Sequence, residues 1–217
     1  LRKTTAAAIL LVLVVASPAD AQASTPPDAA KIIKKTRAKY ESIKYLSLRF
    51  QQRFEWTLTG EVQELRGQVF VAPGDRYRVE TSTQVIVSDG KTLWTYNKPT
   101  HQVIVDNLGT QRNPLLRDLV LRYTQDYRAT LAGEDTVAGR KCWVLELSAS
   151  DQGEFVPQIK VWVDKREYII WQVEEKDANG NVNRYKITVF EEPSTLPDRL
   201  FHFKVPEGVE VVDLRSE

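Results

Sequence analysis

The side chains able to bind a metal or act as nucleophiles are few: one cysteine, Cys142, and two histidines, His101 and His202, in 217 residues. A single thiol excludes an intramolecular disulfide and any multi-cysteine metal site, and two distant histidines do not make a zinc or haem centre. Cys142 could pair with a histidine only if its thiolate were stabilised. It lies instead within the alternating run Lys141–Leu147, where a thiol reads as an inert core group. The acid pairs Glu174-Glu175 and Glu191-Glu192 are adjacent, so on a strand they point to opposite faces. Asp177-Ala178-Asn179-Gly180 faintly resembles a calcium loop, but the later ligands are missing and a hairpin turn accounts for it. Phosphate-binding glycine loops, H-E-x-x-H and G-x-S-x-G are all absent. The sequence thus supplies no catalytic constellation and calls for no cofactor.

What it supplies is aromatic surface, with five Trp, eight Tyr and seven Phe. Such side chains either pack a core or line an incompletely filled cavity for an apolar ligand. A helix can start near Asp28, with Ala29, Ile33, Thr36, Tyr40 and Ile43 on one face. Lys31, Lys34, Lys35 and Lys39 then form a solvated face, the alternative being a docking surface for an anionic membrane or partner. From Tyr45 the period becomes two: Leu46, Leu48, Phe50, Phe54 and Trp56 alternate with polar residues, and only Gln52 breaks the apolar row. Strand patterns follow at Gln68–Val71, Arg76–Glu80, Gln84–Val87, Thr92–Tyr96 and Gln102–Val105. They resume at Lys141–Leu147, Gln158–Val163, Ile169–Glu175 and Asn183–Phe190.

Turn chemistry separates these runs at Pro73-Gly74-Asp75, Ser88-Asp89-Gly90-Lys91, Ala138-Gly139 and Asp177–Gly180. Asn113-Pro114 opens a short helix in which Leu115, Leu116, Leu119, Val120 and Tyr123 fall at helical spacing. The pattern predicts a mainly β fold with a few helices (α+β), one curved antiparallel sheet with the helices on its concave side. No linker and no internal repeat divides it.

Thirty basic residues against 29 acidic ones argue against a nucleic-acid partner. Arg2 and Lys3 precede an apolar run, Ala6–Ala16, followed by Ala19-Asp20-Ala21 and Ala21-Gln22-Ala23. This is the form of a secretory signal peptide, residues 1–21, cleaved after Ala21 or Ala23 to leave a domain over 22–217. The apolar run is shorter than the roughly 20 residues that span a bilayer. With no cysteine near the cleavage site for acylation, the expected product is a periplasmic protein without a lipid anchor.

Specific strings then narrow the reading. Val87-Ser88-Asp89-Gly90-Lys91-Thr92-Leu93-Trp94-Thr95-Tyr96-Asn97 resembles a signature hairpin of the LolA family of periplasmic outer-membrane lipoprotein carriers. Leu48-Arg49-Phe50-Gln51-Gln52, Gly67–Pro73, Asn113–Leu116, Asp177–Asn181 and the ending Phe201–Asp213 resemble that family in the same order. The resemblance implies a single unclosed antiparallel β-barrel of about eleven strands, its concave side covered by helices, and no enzyme activity. It further implies a monomer that takes acylated lipoproteins, or another lipid, from an inner-membrane ABC-type release complex to an outer-membrane lipoprotein receptor.

Under that resemblance the lining candidates are Leu48, Phe50, Phe54 and Trp56 from the first strand, and Tyr77 and Val79 after the Pro73 turn. Leu115, Leu116, Leu119 and Val120 would face inward from a lid helix, with Leu145, Leu147, Val161 and Val163 on later strands. The faces of Trp94 and Tyr96 stay open. Family members often carry an arginine before the proline matched to Pro73; here Ala72 stands there, and Arg76 or Arg78 is the expected substitute latch. A related carrier or sensor that binds a different lipid with the same barrel is the alternative.

Overall fold

The computed structural model describes residues 28–108, 127–149 and 156–215. The expected leader and the helix expected after Asn113 lie outside the described residues. One α-helix, α1 (Ala29–Ser42), precedes strands β1 (Leu46–Glu55), β2 (Val62–Ala72), β3 (Arg76–Thr81), β4 (Gln84–Asp89), β5 (Thr92–Asn97) and β6 (Gln102–Asn107). After these come β7 (Tyr127–Val137), β8 (Arg140–Ala149), β9 (Gln158–Asp164), β10 (Ile170–Lys176) and β11 (Val182–Glu191). A 3₁₀ turn (Asp198–Phe201) and a short β12 (Glu210–Asp213) close the chain.

All twelve strands join one sheet in the order β12-β6-β5-β4-β3-β2-β1-β11-β10-β9-β8-β7. The strand pairs are antiparallel except β12 with β6, which is parallel. β7 and β12 are its two unpaired edges, so the sheet stays open. The expected mainly β, unclosed architecture is the one observed, with one strand more than the estimate of about eleven. β7 falls where the sequence patterns name no strand, and it carries a bulge at Leu131/Gly133.

The turns work as their residues require. Gly74 and Asp75 both take positive φ, 77° and 55°, to reverse the chain between β2 and β3. Gly90, at φ 95°, lies so close to this reversal that a Cβ there would sit 2.3 Å from the Gly74 carbonyl oxygen. Ser88, fully buried, ties the two turns together: its hydroxyl donates to the Asp75 carbonyl at 2.8 Å and accepts from the Gly90 amide at 3.1 Å. Asp89 accepts from the amides of Lys91 and Thr92, both at 2.8 Å.

A 14-residue helix is marginal alone, so α1 depends on what it packs against. Ala29, Ile32, Thr36 and Tyr40 are buried, and Ile32 replaces the expected Ile33 at the centre of the contact. Their cluster includes Trp143, Leu145, Ile159, Val161 and Val173, which places α1 over the β7–β10 half of one face. Lys31, Lys34 and Lys35 are exposed, as a solvated face requires. Lys35 also donates to the Tyr168 hydroxyl at 2.9 Å, and Lys39 pairs with Glu192. Tyr40 supplies the central anchor. Its hydroxyl accepts the Ile170 amide at 3.2 Å, beside a bulge at Ile170/Gln172, and its ring meets Phe190 edge-on at 6.2 Å.

Removing that hydroxyl while keeping the ring isolates the anchor's contribution. Tyr40→Phe leaves the buried Ile170 amide without an acceptor, and urea unfolding should show a loss of about 1–3 kcal/mol; unchanged stability would refute the anchor. Cys142, fully buried, has its thiol pushed up to about 11 by desolvation and by the charge of Asp164. At pH 8 Ellman's reagent should therefore label it only as fast as the protein unfolds. Rapid labelling of the native protein would show instead a reactive thiol.

Candidate functional site

Cross-strand register decides which side chains share a face. Leu145 sits beside Val161, Val161 beside Val173, Val173 beside Tyr185 and Tyr185 beside Gln52. Leu48, Phe50 and Phe54 alternate with the odd-numbered residues of β1 and so share the face of Gln52. Leu48 sits beside Val69, which faces Val79, and Val71 faces Tyr77. The strand candidates Leu48, Phe50, Phe54, Tyr77, Val79, Leu145 and Val161 thus occupy the face on which α1 packs. Leu147 and Val163 follow Leu145 and Val161 by the same alternation. Trp56 lies just beyond β1, its ring 4.5 Å from that of Phe54. Leu115, Leu116, Leu119 and Val120 lie outside the described residues.

These residues divide by burial. Leu48 (0 %), Leu145 (2 %), Tyr77 (3 %) and Val161 (4 %) are core, whereas Phe50, Phe54, Trp56 and Val79 are half-buried. The helix covers β7–β10; among the described residues the β1–β6 half of the face is more open, although Leu48 and Tyr77 within it are buried. Register adds three residues to that open half that sequence reasoning missed. Val79 faces Ile86, Ile86 faces Thr95, and Thr95 faces Ile104, with Leu93 two residues before Thr95. Ile86 and Leu93 are half-buried and Ile104 is 38 % exposed. Their strands were legible, but which face would go uncovered was not. Phe50 reaches this surface by lying across Gly67, where a Cβ would come within 2.4 Å of its ring.

A cluster of polar side chains sits on this face beside Phe50 and Phe54. Gln52 Nε2 donates to Asn183 Oδ1 at 2.8 Å and to the Tyr185 hydroxyl at 3.2 Å. Asn183 Nδ2 donates to the same hydroxyl at 2.9 Å and to Glu175 Oε2 at 3.2 Å. Burial, reinforced by the Glu175 charge, raises the Tyr185 hydroxyl pKa above its ordinary value against the opposing effect of the Asn183 hydrogen bond, so it stays protonated at neutral pH.

The opposite face is different in kind. Glu146, Lys160, Glu174, Arg184, Arg53 and Glu64 form one row across six strands, with a 3.1 Å ion pair from Lys160 to Glu146 and another from Arg53 to Glu64. A cleft of about 590 Å³ near this row has a mixed lining, with Glu146, Lys160, Glu174 and Lys176 beside Leu147, Ile159 and Val182. Toward β3–β6 the same face is covered by the C-terminal segment. Trp94 and Tyr96 lie there, 6.4 and 6.1 Å from the Phe203 ring, not on the helix side. Arg76 and Arg78 also project there. Arg76 pairs with Asp198 at 2.8 Å and stacks on Phe201, and Arg78 pairs with Glu80 at 3.2 Å. Among the described residues no group of three His, Cys, Asp or Glu side chains could hold a metal ion.

The family model for the outer membrane lipoprotein carrier protein LolA matches residues 41–204. The chain is 26 % identical over 182 residues to an outer-membrane lipoprotein carrier protein of Legionella pneumophila, covering 81 % of this chain and 87 % of that one. It is 29 % identical over 189 residues to an uncharacterised protein of Methanocaldococcus jannaschii, covering 85 % of this chain but only 54 % of that protein. The fold is similar to that of an uncharacterised conserved protein from Thermus thermophilus, with a TM-score of 0.57 at 17 % identity over 85 % of this chain and 98 % of the other. An alternating apolar face on an open sheet, the Ser88–Gly90 double turn and the family match over most of the chain agree. The chain belongs to the LolA family, whose carriers are non-enzymatic lipoprotein chaperones.

Proposed function

We propose that the protein is a periplasmic carrier that shields the acyl chains of lipoproteins and moves them from the inner membrane to the outer membrane. The observation that supports this reading is the half-buried surface over β1–β6 that carries Phe50, Phe54 and Val79, without a cover among the described residues, on one face of an unclosed sheet whose other half is capped by α1. Soluble proteins seldom leave contiguous apolar surface uncovered unless something binds there. Phe50, Phe54, Trp56 and Val79 supply the acyl contacts in this proposal, while Leu48, Tyr77, Leu145 and Val161 form the packed floor. The segment with Leu115, Leu116, Leu119 and Val120 is assigned the lid. Arg76 and Arg78 have no part in it, because their guanidinium groups engage Asp198 and Glu80 on the other face. The leader over residues 1–21 accounts for export. An ABC-type release complex and an outer-membrane lipoprotein receptor are the partners such a shuttle requires.

The physical need is plain: exposing a sixteen-carbon chain to water costs on the order of 12 kcal/mol, at about 0.8 kcal/mol per methylene. Native mass spectrometry of protein purified from a cell envelope should show a bound acylated protein. A single class of free lipid would favour the related carrier or sensor of another lipid, and an empty protein that also ignores a fluorescent acyl probe would refute both. Phe54→Asp or Val79→Asp should weaken the probe about tenfold or more and leave the cooperative unfolding transition in place. Leu145→Asp, in the core, should abolish folding. Full probe affinity in both surface variants would place the acyl site elsewhere.

A further inference from the structure

The β1–β2 hairpin ends in an apolar projection that packs against no core. Leu58 at its tip is 96 % exposed, the most exposed large apolar side chain among the described residues, and Val62 at the start of β2 is 40 % exposed. A lone apolar side chain on a surface needs no explanation, but this one is neither lone nor loose. Two residues back, Trp56 is half-buried with its ring 4.5 Å from that of Phe54. Two backbone bonds close the turn: the Trp56 amide donates to the Glu61 carbonyl at 2.9 Å, and the Gly60 amide donates to the Trp56 carbonyl at 2.7 Å. Gly60 supplies the positive φ, 68°, that this reversal needs. The neighbouring β10–β11 turn braces it, since the Thr57 amide donates to Asn181 Oδ1 at 3.1 Å and the Thr57 hydroxyl to the Gly180 carbonyl. Leu58 is thus held out at one end of the sheet by an ordered, doubly anchored turn.

We propose that this tip enters the interfacial layer of a phospholipid bilayer, with Leu58 inserted and Trp56 at the level of the head groups. A stable protein partner buries about 800 Å² on each side, and a point flanked by Thr57, Thr59 and Gly60 offers little beyond Leu58 itself. A bilayer accepts such a point, and tryptophan favours its interface. The charges around the tip show no basic excess. Glu55 and Glu64 share Arg53, the exposed Glu61 offsets Lys176, and Asp177 turns inward to accept the amides of Asn179 and Asn181. The attraction is therefore apolar and does not call for anionic lipid. One leucine beside one tryptophan makes a brief contact, not an anchor. Because Trp56 stacks on Phe54, an inserted tip sets the end of the open apolar surface against the layer that an acyl chain leaves or enters. That use of the contact rests on the acyl-binding reading, whereas the insertion rests on the tip alone.

The unaltered protein, mixed with sucrose-loaded phosphatidylcholine vesicles at millimolar lipid, should sediment in part. Leu58→Asp should lower its partition onto the vesicles about tenfold, and Leu58→Trp should keep or strengthen it. Raising sodium chloride from about 50 mM to about 500 mM should leave the partition unchanged. Leu58→Asp should also retain the cooperative unfolding transition and full affinity for the fluorescent acyl probe, whereas Val79→Asp should lose the probe and keep the vesicles. No sedimentation of the unaltered protein, or equal sedimentation of Leu58→Asp, overturns the proposal. Sedimentation that requires phosphatidylglycerol and vanishes in salt also overturns it, and assigns the contact to Lys31, Lys34 and Lys35 on α1. Vesicle binding by a protein that ignores the acyl probe removes the acyl-binding reading and leaves the tip standing.

Discussion

An open sheet has two faces and two edges, and each must be covered or left wet. That constraint organises this molecule. Closing the sheet on itself would hide one face without help. Because β7 and β12 remain apart, cover must come from elsewhere: α1 over β7–β10 on one face, and the segment around Phe201 and Phe203 over β3–β6 on the other. The charged row from Glu146 to Glu64 needs no cover, since it is soluble as it stands. Among the described residues, what remains without such a cover is the half-buried surface of β1–β6 on the helix side.

The two covers are attached by different means. α1 is held by burial of Ile32 and by the Tyr40 hydroxyl on the Ile170 amide, a bond made where the bulge disturbs the strand ladder. The C-terminal segment is held by Phe201, 1 % exposed, with Arg76 both stacked on its ring and paired with Asp198. An arginine read as a latch for the helix side thus serves the reverse face. Side chains alternate along β3, so Arg76 and Tyr77 had to diverge.

Much of the fold was legible because period-two alternation and turn chemistry are local. The β1 row, the Ser88–Gly90 turn and the Asp177–Gly180 turn could all be read from neighbouring residues. β7 was not, since its bulge spends Gly133 inside a strand, where glycine ordinarily marks an end. The side of Trp94 and Tyr96 was equally hidden. Both faces of that hairpin carry apolar residues, and the deciding contact, Phe203, lies about a hundred residues further on. At the site, the apolar candidates were legible as a class, but not their division into floor and open surface. That division depends on tertiary packing: Leu48 and Tyr77, on β1 and β3, are buried, whereas Phe50 and Val79 on the same strands are only half-buried. Ile86, Leu93 and Ile104 look in sequence like ordinary strand residues, and only register across four strands places them beside Val79.

Half-burial has a kinetic meaning for a carrier. Complete removal of a sixteen-carbon chain from water would amount to about 12 kcal/mol, near the free energy of a nanomolar complex. At ordinary association rates such a complex dissociates over minutes to hours, too slowly for a shuttle. Each methylene left in contact with water returns about 0.8 kcal/mol, roughly a fourfold increase in release rate. A few such groups separate storage from transfer. Under the proposed function, Phe50, Phe54, Trp56 and Val79, each partly exposed beside the buried Leu48 and Tyr77, would grip a chain incompletely. A deeper, fully enclosed cavity would bind better and deliver worse.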